Sequence, residues 1–348
     1  MNPNSSLLAA TTVLLAVLLD RLIGDPMSWT HPVMVMGWWI QQLRLLAERW
    51  AGNTAWKLRL GGGVITVVMV GASALCGWWV EQLALGRWMD EATWLMVPFQ
   101  SLLVIGLASA LAGRSLEQAV KAVLEALNRN DQALARQRLQ WIVGRDTRDL
   151  NSNEILRAAA ETAAENSVDG LFAPLFWMLL GLLTWSLFPT GPGPLALAWG
   201  FKAASTLDSM LGYKRDRLRW LGTAGARLDD LMVWLPCRLV MVTLPLVSQP
   251  WTRWPELVKA AERDGKPDPS PNAGRAEAIF AHCTGVCLGG RNRYGDRWVD
   301  KPLLAADQPG ADTAAVARIL LLSRRLAALW LLGPMAVILT QIEVATIG

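Results

Sequence analysis

The chain alternates between long apolar stretches without a single charge and polar segments dense in charge. Leu60–Val80, Ala92–Gly113, Gly170–Phe201 and Leu326–Ile342 carry no charged residue, and Leu7–Leu19 is a shorter run ended by Asp20 and Arg21. A bilayer core about 30 Å thick takes roughly 20 apolar helical residues, so these stretches predict membrane helices. The 32 residues of Gly170–Phe201 are too many for one span. Pro189-Thr-Gly-Pro-Gly-Pro194 divides them, which predicts a span over about 171–188, a tight turn and a return segment. Residues 231–248 are apolar but hold Pro236, Arg238 and Pro245, and are expected to form a broken or re-entrant segment. A last span is expected over about 319–342.

Between the spans the pattern is that of amphipathic helices. Leu116, Val120, Val123, Leu124 and Leu127 recur at helical spacing. Asn130-Asp131 interrupts, a second helix is expected over 131–143 up to Gly144, and a third starts at Asn151 or Ser152 as N-cap and runs to about Val168. Alternating strand patterns are nearly absent. The fold class is therefore all-α, a polytopic membrane protein of about four to six membrane segments, some re-entrant, forming a single integral membrane domain over residues 1–348. Its polar segments are 20–59, 114–170, 202–230 and 249–317.

Composition supports this reading: 53% of the 348 residues are hydrophobic and mean hydropathy is +0.28. Trp outnumbers Tyr by 19 to 2, and Trp38, Trp39, Trp78, Trp79, Trp88, Trp94 and Trp177 stand at the ends of apolar stretches, as in an interfacial aromatic belt. Residues 24–59 carry four Lys and Arg, 81–91 one and 114–169 eight, which places 24–59 and 114–169 in the cytoplasm. Residues 249–318 carry ten, another reason to expect that 231–248 does not cross. Met1–Ser6 lacks the basic residue of a secretory signal. The net charge of +4 belongs to basic loops rather than a nucleic-acid surface. Four cysteines without a second ligand pair predict reduced thiols rather than a zinc site.

Four polar constellations carry the candidate chemistry. Asp20-Arg21 and Gly24-Asp25-Pro26 precede His31-Pro32-Val33. Arg145-Asp146 precedes Glu161, Glu165, Asn166 and Asp169, whose carboxylates at i, i+4, i+8 share one helix face; such a stripe suits Mg²⁺, which takes carboxylate together with phosphate oxygens. Lys202, Asp208, Ser209, Tyr213 and Lys214 are followed by Arg227, Asp229 and Asp230, a second candidate set of Mg²⁺ ligands with cations for phosphate. Asn272, Gly289, Gly290 and Tyr294 lie in Gly- and Asn-rich stretches that suit tight turns and exposed amides able to bind an anion.

Taken together these motifs resemble the adenosylcobinamide-phosphate synthase family of cobalamin biosynthesis. The stretches that carry the resemblance, in the family's order, are Gly24-Asp25-Pro26 with His31-Pro32-Val33; Val143 to Thr147; Glu161 to Gly170 with Ala173 to Phe176; Lys202 to Met210 with Gly212-Tyr213; Ala226 to Asp230; Ser270 to Gly274; and Leu288 to Gly290. They span roughly residues 13–305. Ser205 stands where the family usually has Asn, Pro236-Cys237-Arg238 departs from the usual pattern, and Asp268-Pro269 replaces a common His.

The resemblance implies an inner-membrane, multi-pass ligase whose site faces the cytoplasm. It would condense adenosylcobyric acid with (R)-1-aminopropan-2-yl phosphate or ethanolamine phosphate, consuming ATP with Mg²⁺. In that scheme Asp146, Glu161, Lys202 and Asp208 are catalytic candidates and Glu165, Asp169, Asp229 and Asp230 hold the metal. Asp25, His31, Arg145, Asn166, Ser209, Tyr213, Lys214, Arg227, Asn272, Gly289, Gly290 and Tyr294 bind substrate or phosphate. The expected partners are these small molecules and the lipid bilayer, with no nucleic acid; a homo-oligomer or a complex with other cobalamin enzymes stays open. A non-catalytic inner-membrane regulator of a sister group is the alternative, disfavoured by the carboxylates. A transporter would carry its ionisable residues inside the spans.

Overall fold

The computed structural model describes residues 3–24, 31–86, 93–188, 190–248, 251–295 and 297–347. They group into two compact units, one of residues 1–112, 173–232 and 331–348, the other of 113–172 and 233–330.

The first unit holds α1 (Pro3–Leu22), α2 (Pro32–Ala51), α3 (Ala55–Ala84), α4 (Thr93–Ala108), α8 (Ala173–Leu187), α9 (Pro194–Leu211), the short α10 (Leu218–Leu221), the start of α11 (Thr223–Ser248) and α15 (Leu332–Ile347). Its described core joins α2, α3, α9 and α10 through Met36, Ile40, Leu58, Ile65, Met69, Leu207, Leu211 and Leu221. The α3–α9 approach is close because Gly77 carries no side chain: a Cβ there would lie 2.8 Å from the Ala196 backbone. Glu81, one turn further along α3, is fully buried. Its carboxylate accepts hydrogen bonds from the amides of Gly193 (2.9 Å), Leu195 (2.6 Å) and Ala196 (3.0 Å). Those amides are the orphan donors of the α9 N-terminus, and Gly193 has no side chain to cap them. The turn between α8 and α9 falls where the Pro/Gly run predicts it; Trp78 Nε1 donates to Thr190 O and Trp185 Nε1 to Gly191 O.

The second unit holds α5 (Gly113–Asn128), α6 (Gln132–Gln140), α7 (Ser152–Ser167), one π-helical turn (Val168–Phe172), the rest of α11, α12 (Trp254–Gly265), α13 (Ala273–Thr284), an antiparallel hairpin of β1 (Leu288–Tyr294) and β2 (Arg297–Leu304), and α14 (Thr313–Trp330). Asn151 caps α7 in a capping box with Glu154. The buried small residues Ala158 to Ala160, Ala163 and Ala164 let α7 pack tightly. Ser167 Oγ meets Ser323 Oγ of α14 at 2.9 Å. Glu117 of α5, buried, is gripped by Arg324 and by Lys121.

Three helical runs are long and apolar enough to cross a membrane: α3, the continuous run Ser152–Leu187 through the π-turn, and α11; a fourth is gained if Met96–Ala108 and Gly113–Asn128, bent by 41°, form one span. The chain is thus an all-α membrane protein apart from the hairpin, which the sequence did not foretell. Residues 231–248 differ from expectation, since they belong to the unbroken α11. Pro236 cannot donate to the Met232 carbonyl four residues back, and the Trp177 indole donates to it instead (3.3 Å). The expected last span is two helices, α14 and α15. The ring of Pro334 would clash with the Trp330 carbonyl, and α14 ends at Trp330.

Candidate functional site

Each unit gathers one polar cluster. In the second unit the centre is Glu161, buried on α7. Its Oε2 pairs with Arg145 Nη2; its Oε1 accepts the Gly289 amide at 2.8 Å and lies 3.5 Å from Arg157 Nη1. Arg145 Nη1 donates to Asn292 Oδ1 (2.8 Å), as does Arg157 Nη2 (3.1 Å), and Arg157 also donates to the carbonyls of Gly289 and Arg291. Two guanidinia and a carboxylate thereby clamp β1 onto α7. The Asn292 oxygen is committed to the two arginines, while its buried Nδ2 has no hydrogen-bond partner. That amide is a buried donor whose hydrogen bond the described residues do not supply.

Gly289 and Gly290 sit at a bulge in β1, not in a turn, with φ of +83° and +89°. A Cβ on Gly289 would lie 2.0 Å from Pro302 O. Left-handed backbone costs a non-glycine residue about 1–2 kcal/mol, and the clash adds to it. Gly289→Ala is therefore expected to destabilise the protein by about 2–4 kcal/mol, read as a lower thermal midpoint in detergent; an unchanged midpoint would show that the bulge tolerates a side chain.

A second layer of charge lies beside this clamp. Lys301 of β2 places Nζ 3.1 Å from Glu277 Oε1 and 3.7 Å from Asp268 Oδ2, and it acts electrostatically on Glu165. Burial pushes the Glu277 carboxyl up to about 8, against the pull of Lys301 and with the charges of Glu165 and Glu161 adding to the push. Burial alone would lower Lys301, but Glu277, Glu165 and Asp268 hold it above the ordinary lysine value. A carboxyl raised on folding contributes its stability in the protonated form. That contribution is complete below about pH 4.5 and is lost as pH rises through about 8. Glu277→Gln, uncharged at every pH, should match the native protein near pH 5 and melt higher near pH 8.5; melting curves that stay parallel across this range would refute the assignment.

The other expected residues of this unit are distributed as follows. Asp146, half-buried, is held well below the usual carboxylate range chiefly by hydrogen bonds from the Arg148 side chain and amide; its own amide donates to Arg293 O (2.9 Å). Asp169 lies in the π-turn, so the Glu161–Glu165–Asp169 stripe loses α-helical phase at its last member. Asn166 is half-buried on α7. Asn272, buried, starts α13, and its side-chain oxygen accepts from Arg238 Nη1, whose Nη2 donates to Pro271 O at 2.9 Å. Arg238 is thus tied to the loop that precedes α13. Tyr294, at the β1 end, is 39% exposed.

The first unit brings together Lys202 and Asp208 of α9 with Asp229 and Asp230 of α11. Asp208 and Asp230 act electrostatically on Asp229, which also feels Lys202; Lys214 acts on Asp230. Asp229 Oδ1 is buried without a hydrogen-bond partner. Ser209 Oγ donates to Ser205 O of its own helix (2.9 Å). Arg227, Lys214 and Tyr213 are exposed, with the Arg215 guanidinium over the Tyr213 ring. His31 caps α2 by accepting the Val33 amide at Nδ1 (3.3 Å). Asp25 lies outside the described residues.

Among the described residues no three His, Cys, Asp or Glu side chains are grouped to hold a metal ion by themselves. Mg²⁺ is ordinarily bound by one or two carboxylates plus phosphate oxygens. The hard oxygen donors of Asp229 and Asp230, one of them an orphaned buried oxygen, fit that mode.

Sequence reasoning overlooked Glu277 and Lys301 as members of this polar cluster, and met Asn292 only as part of the Gly- and Asn-rich stretch that follows Gly289. Glu277 did leave a signal, as a lone acid in the apolar run Ala276–Ala281. Lys301 left none, because only the hairpin turns it inward.

Comparison with known proteins identifies the family. The family model described as CobD/Cbib protein matches residues 13–323. The cobalamin biosynthesis protein CobD of Synechocystis is 43% identical over 93% of this chain and 90% of its own length. CbiB of Salmonella typhimurium is 40% identical over 84% of the chain and 86% of its own, and CobD of Klebsiella pneumoniae 39% over 82% and 84%. No solved structure matches. A match over nearly the whole chain, taking in both units and both polar clusters, makes this protein a member of the CobD/CbiB family of cobalamin biosynthesis proteins.

Proposed function

We propose that this chain is the membrane ligase that condenses adenosylcobyric acid with (R)-1-aminopropan-2-yl phosphate, or with ethanolamine phosphate, to give adenosylcobinamide phosphate at the expense of ATP. The observation that carries the reading is the Asp208–Asp229–Asp230 group with Lys202 and Lys214 beside it. An oxygen-only acidic set flanked by ammonium groups suits a magnesium–phosphate complex.

The chemistry follows from the substrates. A carboxylate does not acylate an amine at a useful rate, so its oxygen attacks the γ-phosphorus of ATP and ADP leaves. The amine then attacks the acyl carbon of the acyl phosphate, loses a proton, and inorganic phosphate departs. Magnesium, when bound, offsets phosphate charge; Asp229 and Asp230 are the ligands best suited to hold it, with Glu165 and Asp169 as the second proposed pair. Lys202 and Arg227 hold the transferring phosphoryl group. Asp208 accepts the amine proton. Glu161 and Arg145 saturate each other and the β1 backbone, so their role is to position the hairpin and the Asn292 amide. Asp146, kept ionised by Arg148, is a weak base and suits orientation of a cationic amine.

The test uses the purified full chain in detergent with adenosylcobyric acid, each amino-alcohol phosphate, ATP and Mg²⁺, with mass spectrometry of the corrinoid. A mass gain equal to the amide-linked arm, absent without ATP, is the expected result. Folded protein that makes no product from either amine would overturn the proposal.

A further inference from the structure

We propose that the first unit carries a binding site for the headgroup of an anionic phospholipid, lined by none of Asp208, Asp229 and Asp230 and sharing only Tyr213 with the residues expected to bind substrate or phosphate. A cavity of about 330 Å³ is lined by Arg44, Glu48, Tyr213, Arg215, Asp216 and Arg217, together with Met210 and Leu218. Three guanidinia face two carboxylates there. Glu48 is shared, 2.8 Å from Arg44 Nε and 3.9 Å from Arg217 Nη1, while Arg215 stacks its guanidinium on the Tyr213 ring, 5.0 Å from the centroid. Such an array offers more forked donors than its carboxylates use, and forked donors match phosphate.

The cavity's position selects the source of the phosphate. Arg217 Nε donates to Asn53 Oδ1 (2.8 Å), and Asn53 lies in the short loop before α3, which is long and apolar enough to span a bilayer. The cavity therefore sits at the end of that helix, at headgroup depth. The surroundings agree. Lys57 lies over Trp50 and Trp56 (5.7 and 5.8 Å), and Arg59 and Arg219 stack on Trp220 (4.3 and 4.5 Å). Trp50 and Trp56 are more than half exposed. α2 turns Met36, Ile40 and Ala51 inward while leaving Trp38, Trp39 and Leu46 exposed. Aromatic side chains interleaved with Lys and Arg at a span's end mark the membrane–water boundary, and clustered cations there attract anionic lipid. The phosphate of a glycerophospholipid fits between Arg44, Arg215 and Arg217, and its acyl chains run along the exposed apolar side of α2.

The experiment is native mass spectrometry of the delipidated full chain incubated with equal amounts of phosphatidylglycerol and phosphatidylcholine. Phosphatidylglycerol is expected to be retained at least fivefold more. Arg215→Gln, which orphans no carboxylate, should cut that preference at least threefold, and Arg44→Gln with Arg217→Gln should abolish it in protein whose thermal midpoint shows that it is folded. Should the double variant not fold, the single one decides. Equal retention of the two lipids, or a preference that survives Arg215→Gln, would overturn the site. Displacement of phosphatidylglycerol by ethanolamine phosphate at the same concentration would assign the cavity to a soluble phosphate instead, also overturning the lipid.

Discussion

Replacing Glu81 with leucine is expected to destabilise the protein by about 3–5 kcal/mol. Leucine is similar in size and suits an apolar setting, so the loss would come from the amides of Gly193, Leu195 and Ala196 rather than from packing. A buried donor left without a partner costs about 1–3 kcal/mol, and three lose theirs at once. The effect is large because nothing nearby can substitute: Gly193 has no side chain, and the site is closed to water. Removing the desolvated carboxyl gives part of the cost back, which keeps the figure below the sum. Glu81→Gln retains one acceptor oxygen and should lose about half as much. The check is thermal unfolding in detergent followed by tryptophan fluorescence. A leucine variant as stable as the native protein would mean that α9 does not depend on this cap.

The second large effect concerns activity. Asp229→Asn is expected to lower turnover at least about 100-fold while leaving the thermal midpoint unchanged or higher. The two halves have one cause. Asp229 sits among the like charges of Asp208 and Asp230, with an oxygen buried and without a hydrogen-bond partner. That arrangement opposes folding, and the cation of the proposed reaction would relieve it. An amide removes the repulsion and also the ligand charge. Product formation by mass spectrometry and the melting curve are read on one preparation. Normal turnover would remove Asp229 from the machinery. Loss of turnover together with loss of stability would make it a structural residue.

Local signals explain what the sequence by itself determined. The α5 stripe, the Asn151 cap of α7 and the Pro/Gly turn before α9 depend on neighbours within a few positions, so periodicity and capping chemistry revealed them. Long uncharged stretches likewise announced a membrane protein, because a bilayer imposes length and apolarity on each helix separately.

What only the tertiary structure decided depends on partners distant in the chain. The β1–β2 hairpin escaped because its buried positions include Asn292 and Gly289, not an alternation of apolar residues. The polar face is stable only where Glu161, Arg145 and Arg157 receive it. Pro236 and Pro245 argued for a break in 231–248, and α11 runs through them with the Trp177 indole, some 55 positions away, serving the Met232 carbonyl. The acidic residues were visible as a set, but their division was not. Glu161 and Glu165 belong to the unit with Glu277 and Lys301, and Asp208, Asp229 and Asp230 to the other. Sequence shows which charges are present, whereas the folded chain decides which of them meet, and a carboxylate's work follows from whether it meets a guanidinium, an ammonium or another carboxylate.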